Sequence, residues 1–383
     1  MSKFRKEKID KLVNILSGFA FDSKNFDNSG EIPIIRIRDI LRGSSSTFYS
    51  GEYEAKYIIK NGDVLIGMDG EFNRERWKGS NALLNQRVCK ISTSSNQLND
   101  EYLYHFLPIA LKSIEDATPF VTVKHLSVNS IRNIEIPLPP IAEQKRIAEI
   151  LDRTQSLISK RKEAIAKLDT LTPSIFLEMF GDPVTNPKGW KIKTYKDLCS
   201  RITVGIVVQP ASYYQDSGVP ALRSQNIKPN SISTDNLVFF SESDNETKLA
   251  KTRLKAGDVL LVRTGQPGTA AVVPEELDGV NAIDLLITTP LKDIVESIYL
   301  CTFFNSAWGK KMVLSSQVGQ IQKHLNVGIL NNAQIICPPL PLQKEFAQRV
   351  EAVEKLKATH LASLSQLEAL FASLQHRAFR GEL

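Results

Sequence analysis

Few residue runs in this 383-residue chain could carry out a reaction, and each lacks something its reaction would need. Glu143-Gln144-Lys145 supplies a carboxylate and a lysine, one fragment of a metal-dependent nuclease, which requires a cluster of carboxylates. The fragment falls in the first turn of a predicted helix, and a related segment later in the chain has Leu342 where Glu143 stands, which argues against catalysis. The pairs Pro139-Pro140 and Pro338-Pro339 follow Leu138 and Cys337, whereas an amino-methyltransferase that holds a flipped base needs Asn or Asp there, plus a glycine-rich methionine-cofactor loop. The five histidines form no HxxxH pair, and neither a GxSxG elbow nor a GxxxxGK[ST] phosphate loop is present. Cys89, Cys199, Cys301 and Cys337 lie far apart without CxxC spacing, so neither a zinc site nor a disulfide framework is encoded, as expected of a reducing cytoplasm.

A second kind of chemistry is recognition, and here the polar residues recur. Arg36 and Arg38 lie in IPIIRIRDI, and Arg223 and Gln225 in VPALRSQNI; alternation predicts half-buried strands whose arginines either face a ligand or form internal ion pairs. A predicted loop holds Asp69, Glu71, Asn73, Arg74 and Arg76, and its counterpart holds Arg263, Thr264, Gln266 and Thr269. Gly70, Gly265 and Gly268 would let the backbone of these loops approach a ligand closely, and the competing reading is an ordinary polar hairpin. Lys124-His125 recurs as Lys323-His324, with Gln320 and Gln322 just before the second pair; these are solvated turns or contact residues. Phe48, Tyr49, Tyr53, Tyr57, Tyr213 and Tyr214 are expected mainly in the core or at its rim.

The elements that must position these residues form a repeat with an offset of about 190 to 200 residues. KIDKLVNILSG and TYKDLCSRITVG are matching amphipathic stretches, and IIKNGDVLIGMDG aligns with RLKAGDVLLVRTG at an offset of 195. Lys124-His125-Leu126 aligns with Lys323-His324-Leu325 at an offset of 199. The drift in offset predicts loop insertions between shared strands.

After each Pro-Pro pair comes a helical pattern of roughly 35 residues, about 50 Å long at 1.5 Å per residue. Apolar positions at a/d spacing run from Ile147 through Leu151, Ile158 and Ile165 to Ile175, and from Phe346 through Val350, Leu364 and Phe371 to Leu374. Arg161, Lys357 and His360 interrupt the middle of these seams, which suits two long helices packed antiparallel against each other with approximate internal two-fold symmetry. Phe176 to Trp190 reads as the joint between repeats.

Charge leaves the partner open. Residues 1–140 carry 19 basic and 17 acidic side chains and residues 181–337 carry 16 and 14, so any phosphate-binding face must arise by sorting charges in three dimensions. No run of about 18 apolar residues and no leader pattern supports membrane insertion or export.

The order of IPLPPIAEQKRIAEIL, its second form PPLPLQKEFAQRV, the FGDP at Phe180 to Pro183, the terminal AFRGEL, GDVLIGMDG and GDVLLVRTGQPG resembles the specificity subunits of type I restriction-modification enzymes over nearly the whole chain. That resemblance implies an α+β protein with two target-recognition domains, residues 1–140 and 184–337. It also implies a conserved helix and joint at 141–183, a second conserved helix at 338–383, and the helices paired as an antiparallel coiled coil. It further implies a non-catalytic subunit that binds a bipartite double-stranded DNA target and recruits two methylation subunits, with restriction subunits added in some assemblies. Methyl donor, ATP and Mg would then sit on the partner subunits. On this reading the DNA-facing residues are the polar set above from Arg36 to His324, without Glu71 and Thr269, and the helix pair is a ruler, so a short insertion near Thr170 to Pro173 would lengthen the unspecified spacer. The alternative is a coiled-coil scaffold joining two protein-binding modules, with no salt-sensitive DNA affinity.

Overall fold

The Gly-Asp turns show how local chemistry starts each half. Gly62 and Gly257 adopt φ of 93° and 89°, the left-handed region open to glycine. The next carboxylate folds back, Asp63 Oδ2 accepting the Lys60 N–H at 2.8 Å and Asp258 Oδ2 the Lys255 N–H at 2.9 Å. A run of apolar, β-branched-rich residues then leaves each turn as a buried strand.

The computed structural model describes residues 3–118, 124–315 and 324–383. Two compact units divide the chain: one runs through Lys162 and adds Ala362–Leu383, the other is Glu163–Leu361. The first contains strands β1 (Lys6–Lys8), β2 (Val13–Ser17), β3 (Ile32–Ile35), β4 (Val64–Gly67), β5 (Arg74–Arg76), β6 (Ala82–Leu84), β7 (Val88–Thr93) and β8 (Glu135–Pro137), with helices α1 (Ile37–Arg42) and α2 (Asp100–Ala117). The second contains β9 (Lys191–Thr194), β10 (Cys199–Val204), β11 (Val219–Leu222), β12 (Val259–Val262), β13 (Ala270–Val272), β14 (Asn281–Ala282), β15 (Leu285–Pro290) and β16 (Gln334–Cys337), with α3 (Ser297–Asn305) and α4 (Ala307–Ser315).

The two units share a topology. An antiparallel sheet has the order β2-β7-β4-β5 in the first unit and β10-β15-β12-β13 in the second. A parallel pair, β3 with β6 and β11 with β14, stands beside it in each. The opening strand pairs with the strand that leads to the long helix, β1 with β8 and β9 with β16.

The segments expected as continuous strands, Ile32 to Ile40 and Val219 to Ile227, stop early. Strand ends at Ile35 and Leu222, after which Ile37–Arg42 is helical and Ser224–Asn226 forms a 3-10 turn. The cause is a side-chain cap: Asp39 and Asn226, both buried, each accept the backbone N–H three residues earlier, of Arg36 and Arg223, at 2.9 Å. Alternation could not reveal this, because a short helix also tolerates an apolar residue at every second or third position.

The long helices are Ile141–Phe180 (the central helix) and Leu340–Arg380 (the terminal helix), of 40 and 41 residues. Both end at a left-handed glycine, Gly181 at φ 77° and Gly381 at φ 75°. Phe176–Phe180, expected in the joint, are helical instead, and Phe176, Met179 and Phe180 enter the second unit's core. Three apolar side chains at helical spacing gain more from that burial than from an exposed loop.

Within each unit the beginning of one long helix meets the end of the other. In the first, Ile147, Ala148 and Leu151 share a core with Phe371, Leu374, Ala378 and Phe379. In the second, Phe176 and Phe180 lie edge-on to Phe346, with ring centroids 5.6 and 5.2 Å apart. Ion pairs follow the same antiparallel sense, Lys162 with Glu368 at 2.8 Å in the first unit and Lys357 with Asp169 at 2.5 Å in the second. The a/d side chains are buried from Ile147 to Ile158 and from Phe346 to Val353, toward the helix starts, and half-buried around Arg161, Lys357 and His360, where polar residues interrupt the seam.

A buried glutamine fixes each helix start. Gln144 Oε1 accepts the Asn99 N–H at 2.9 Å while its amide donates to the Gln97 and Pro139 carbonyls at 2.8 and 2.9 Å. Gln343 repeats this with the Glu296 N–H at 3.0 Å and the Pro338 and Ile294 carbonyls at 2.7 and 3.3 Å. Tyr102 and Tyr299 hydroxyls donate to the Pro137 and Ile336 carbonyls, each at 2.8 Å, tying α2 and α3 to the strands that lead to the long helices.

Candidate nucleic-acid interface

Two segments named from the sequence, the loop after β4 or β12 and the Lys-His-Leu segment, meet at one end of each antiparallel sheet, together with the turn before β7 or β15. In the first unit, backbone hydrogen bonds join the loop after β4 to the turn before β7 (Met68 N–H to Arg87 O, 2.9 Å). The same loop is joined to the Lys-His-Leu segment by Leu126 N–H to Met68 O at 2.7 Å and Gly70 N–H to Lys124 O at 2.9 Å. In the second unit Leu325 N–H donates to Arg263 O at 3.1 Å, the matching bond after β12. Leu126 and Leu325 are fully buried, so each anchors its segment, with His125 exposed and His324 half-buried beside them.

Side chains at this end are charged. His125 Nδ1 lies 2.6 Å from Asp69 Oδ1, the distance of an N–H donating to a carboxylate. Arg87, a residue not singled out from the sequence, approaches the same carboxylate with Nε at 3.5 Å and the imidazole with Nη1 at 3.2 Å from Nδ1. In the second unit Arg263 Nη1 donates to Asp284 Oδ1 at 2.5 Å, and its Nε donates to Leu325 O at 3.3 Å. Thr264 is half-buried and Gln266 exposed on the same loop, and a Cβ built on Gly70 or Gly265 would meet no atom within 4 Å. That leaves the open space that close approach of a ligand needs. Gly268 is different: its added Cβ would press on Val313, so its role is packing, and Thr269 is buried beside it.

Other expected site residues are placed elsewhere. Arg74 and Arg76 lie on strand β5, not in a loop, and face α2. The Arg74 guanidinium lies 3.4 Å over the Tyr104 ring with Nε donating to Tyr104 O at 2.9 Å, and burial lowers its pKa. Arg76 Nη2 pairs with Glu101 at 2.6 Å. Alternate strand residues share a face, so both arginines were committed together to the helix beneath. Asn73 is half-buried under Gly67, against which a Cβ would strike its Oδ1 at 2.9 Å, and Glu71 is exposed. Lys124 Nζ donates to Glu115 O at 2.5 Å near the C-terminus of α2, where carbonyls lack helical partners.

Arg36 sits at the β3–α1 junction with Cζ 5.1 Å over Phe26, and Arg38 is exposed on α1 rather than on a strand. Arg223 Nη2 donates to Asn236 O at 2.5 Å, and Gln225 is exposed in the 3-10 turn. His324 is half-buried; Gln320, Gln322 and Lys323 lie outside the described residues. Among the aromatics, Tyr49 packs in a cluster with Phe21, and Tyr213 and Tyr214 pack against Phe240, while Tyr53 is exposed.

The nuclease-like fragment is dispersed by its helix. Glu143 makes a two-pronged pair with Arg146 at 2.7 and 2.8 Å, which lowers its pKa; Gln144 points into the core and Lys145 is exposed. Among the described residues no group of three or more His, Cys, Asp or Glu side chains is placed to hold a metal ion. Burial pushes the thiols of Cys89, Cys199 and Cys301 up to about 12, a state unsuited to nucleophilic chemistry. Among the described residues no helix is long and apolar enough to cross a membrane.

A duplicated α+β domain, each copy running into a long helix, with polar loops gathered at one end of each sheet, defines a two-module recognition protein. The family described as type I restriction modification DNA specificity domain matches residues 1–168 and 187–369, and the chain belongs to that family. It is 30% identical to the EcoBI specificity subunit of Escherichia coli, over 98% of this chain and 85% of that one. It is 22% identical to the MjaVIII specificity subunit of Methanocaldococcus jannaschii, over 85% and 80%. In fold it is similar to the S subunit of a type I system from M. genitalium, with a TM-score of 0.61 at 13% identity over 99% of this chain and 96% of that one. A chain from a structure of type I complex assembly gives 0.59 at 18% identity over 99% and 98%.

Proposed function

We propose that this chain is the DNA sequence-reading subunit of a type I restriction-modification system, each unit addressing one half of a split double-stranded target. The supporting observation is that both units build the same frame, down to the buried Gln144 and Gln343, and mount different polar side chains on its open end. Sequence is read by side chains that reach base edges, so a constant frame with variable loops suits two different half-sites. The chain itself is non-catalytic: two methylation subunits act on the DNA it selects, restriction subunits join in the larger assembly, and methyl donor, ATP and Mg reside on those partners in the cytoplasm.

The test is sequencing of methylated bases in cells expressing this chain with its methylation subunit, beside cells lacking this chain alone. A split motif that disappears with the chain is expected. Methylation unchanged by its removal would instead favour a scaffold without DNA specificity.

A further inference from the structure

The left-handed turn before β7 in the first unit and before its counterpart β15 in the second carries opposite charge in the two. Arg87, at φ 70°, precedes β7; Asp284, at φ 50° and 197 residues later, precedes β15. Neither is glycine, so each turn holds its side chain in a backbone conformation that L-residues rarely adopt. Across from the turn the charges are reversed as well: Asp69 faces Arg87, and Arg263, one position before the counterpart of Asp69, faces Asp284.

Both arrangements hold one guanidinium beside one carboxylate at the open end of the sheet, with donor and acceptor exchanged between loop and turn. Exposure separates them. The Arg87 side chain is 52% exposed and Asp69 28%, whereas Arg263 is 21% exposed and Asp284 40%. The outward group is therefore the arginine in the first unit and the aspartate in the second. A guanidinium steadied on one side by a carboxylate loses less rotamer freedom when its remaining N–H groups meet a ligand. His125, 49% exposed and bonded to Asp69, holds the carboxylate from the other side.

We propose that Arg87 is a specificity-determining residue of the first unit, its anchored guanidinium reading the major-groove edge of a guanine in that unit's half-site. This deepens, and rests on, the sequence-reading role proposed above. Guanine is the base whose O6 and N7 acceptors match the guanidinium fork. The outward Asp284 gives the second unit an acceptor at the same place, so the two half-sites are read there by opposite hydrogen-bonding character.

The experiment uses the full chain with its methylation subunit. The methylated motif is first determined for the wild type, then for Arg87→Ala and Arg87→Lys. Binding of each purified complex to the matched duplex and to duplexes substituted at each guanine of the motif is measured in parallel, and thermal melting verifies folding. In Arg87→Ala one guanine position of a single half-site should become degenerate, with preference there falling about tenfold to a hundredfold, and in neither variant should the other half-site change. Lysine keeps the charge and can also donate to guanine O6 and N7, so Arg87→Lys should keep guanine as the preferred base with a smaller loss than Arg87→Ala; a lysine variant that prefers a different base there would overturn the assignment. Weakening that is equal on all duplexes, or an unchanged motif in folded Arg87→Ala, would overturn it too. A wild-type chain that yields no split motif would refute the sequence-reading role itself.

Discussion

The contacts made by α2 in the first unit and by its counterpart α3 in the second differ more than the frames around them. In the first unit His105 occupies the buried face of α2, with Nε2 2.7 Å from Asp152 Oδ1 on the central helix, and the Gln375 amide of the terminal helix donates to its carbonyl at 2.8 Å. In the second unit the corresponding position, 197 residues later, is Thr302, and the helix breaks at Ser306, whose hydroxyl accepts the Gly309 N–H at 3.1 Å. One fold thus tolerates a buried titratable group in one copy and a neutral hydroxyl in the other. The lesson is that the hydrogen-bonding side chains shared by both copies define the frame, and those that differ are free to acquire separate properties.

The largest expected effect tests the shared part. Gln144→Ala leaves a backbone N–H and two carbonyls without their partner and should cost roughly 2–3 kcal/mol, with Gln343→Ala costing somewhat less because one of its bonds is already 3.3 Å. Denaturant melts of both variants measure this; losses under about 0.5 kcal/mol would show that the glutamines do not anchor the helices.

The difference between copies should appear in pH dependence. Burial lowers the His105 pKa, and the hydrogen bond to Asp152 offsets that only in part. A depressed folded-state pKa means that stability is fully present above the unfolded imidazole value, near about 6.5, and is lost as pH falls from there toward the folded value. His105→Gln should therefore lose less stability than the wild type between about pH 7 and pH 5, the interval around that unfolded value. Parallel melting curves for the two proteins across this interval would count against the histidine as the source.

Smaller and symmetric effects are expected from Tyr102→Phe and Tyr299→Phe, about 1 kcal/mol each, since both hydroxyls make a single 2.8 Å bond to a buried carbonyl. A clear inequality in urea midpoints would sharpen the comparison by exposing a difference in local packing. Smallest is the seam: Asp169→Asn and Glu368→Gln each remove a partly exposed ion pair, at a cost of about 0.2–1 kcal/mol that should vanish in high salt. A salt-independent loss would assign these carboxylates a role other than pairing.

What could be read from the chain beforehand depended on how locally each feature is encoded. Gly62-Asp63 and Gly257-Asp258 were legible because the turn needs a left-handed residue followed by a short acceptor, all within four positions. The a/d seam was legible because burial repeats with the helical period. Asp39 and Asn226 were not recognised as caps, since an acidic or amide residue in an alternating run serves a strand's exposed face equally well.

By itself the sequence determined the repeat, the two long helices and their antiparallel seam, because apolar periodicity and turn residues impose their geometry through nearest neighbours. Only the tertiary structure decided which arginines stay available. Arg74 and Arg76 are taken up by Tyr104 and Glu101, 25 to 30 residues away in the chain, whereas Arg87 is lifted outward on a left-handed turn that no residue type announces. A charged side chain's role depends on which partner the fold brings within a few ångströms, and that distance is set by packing rather than by neighbours in sequence.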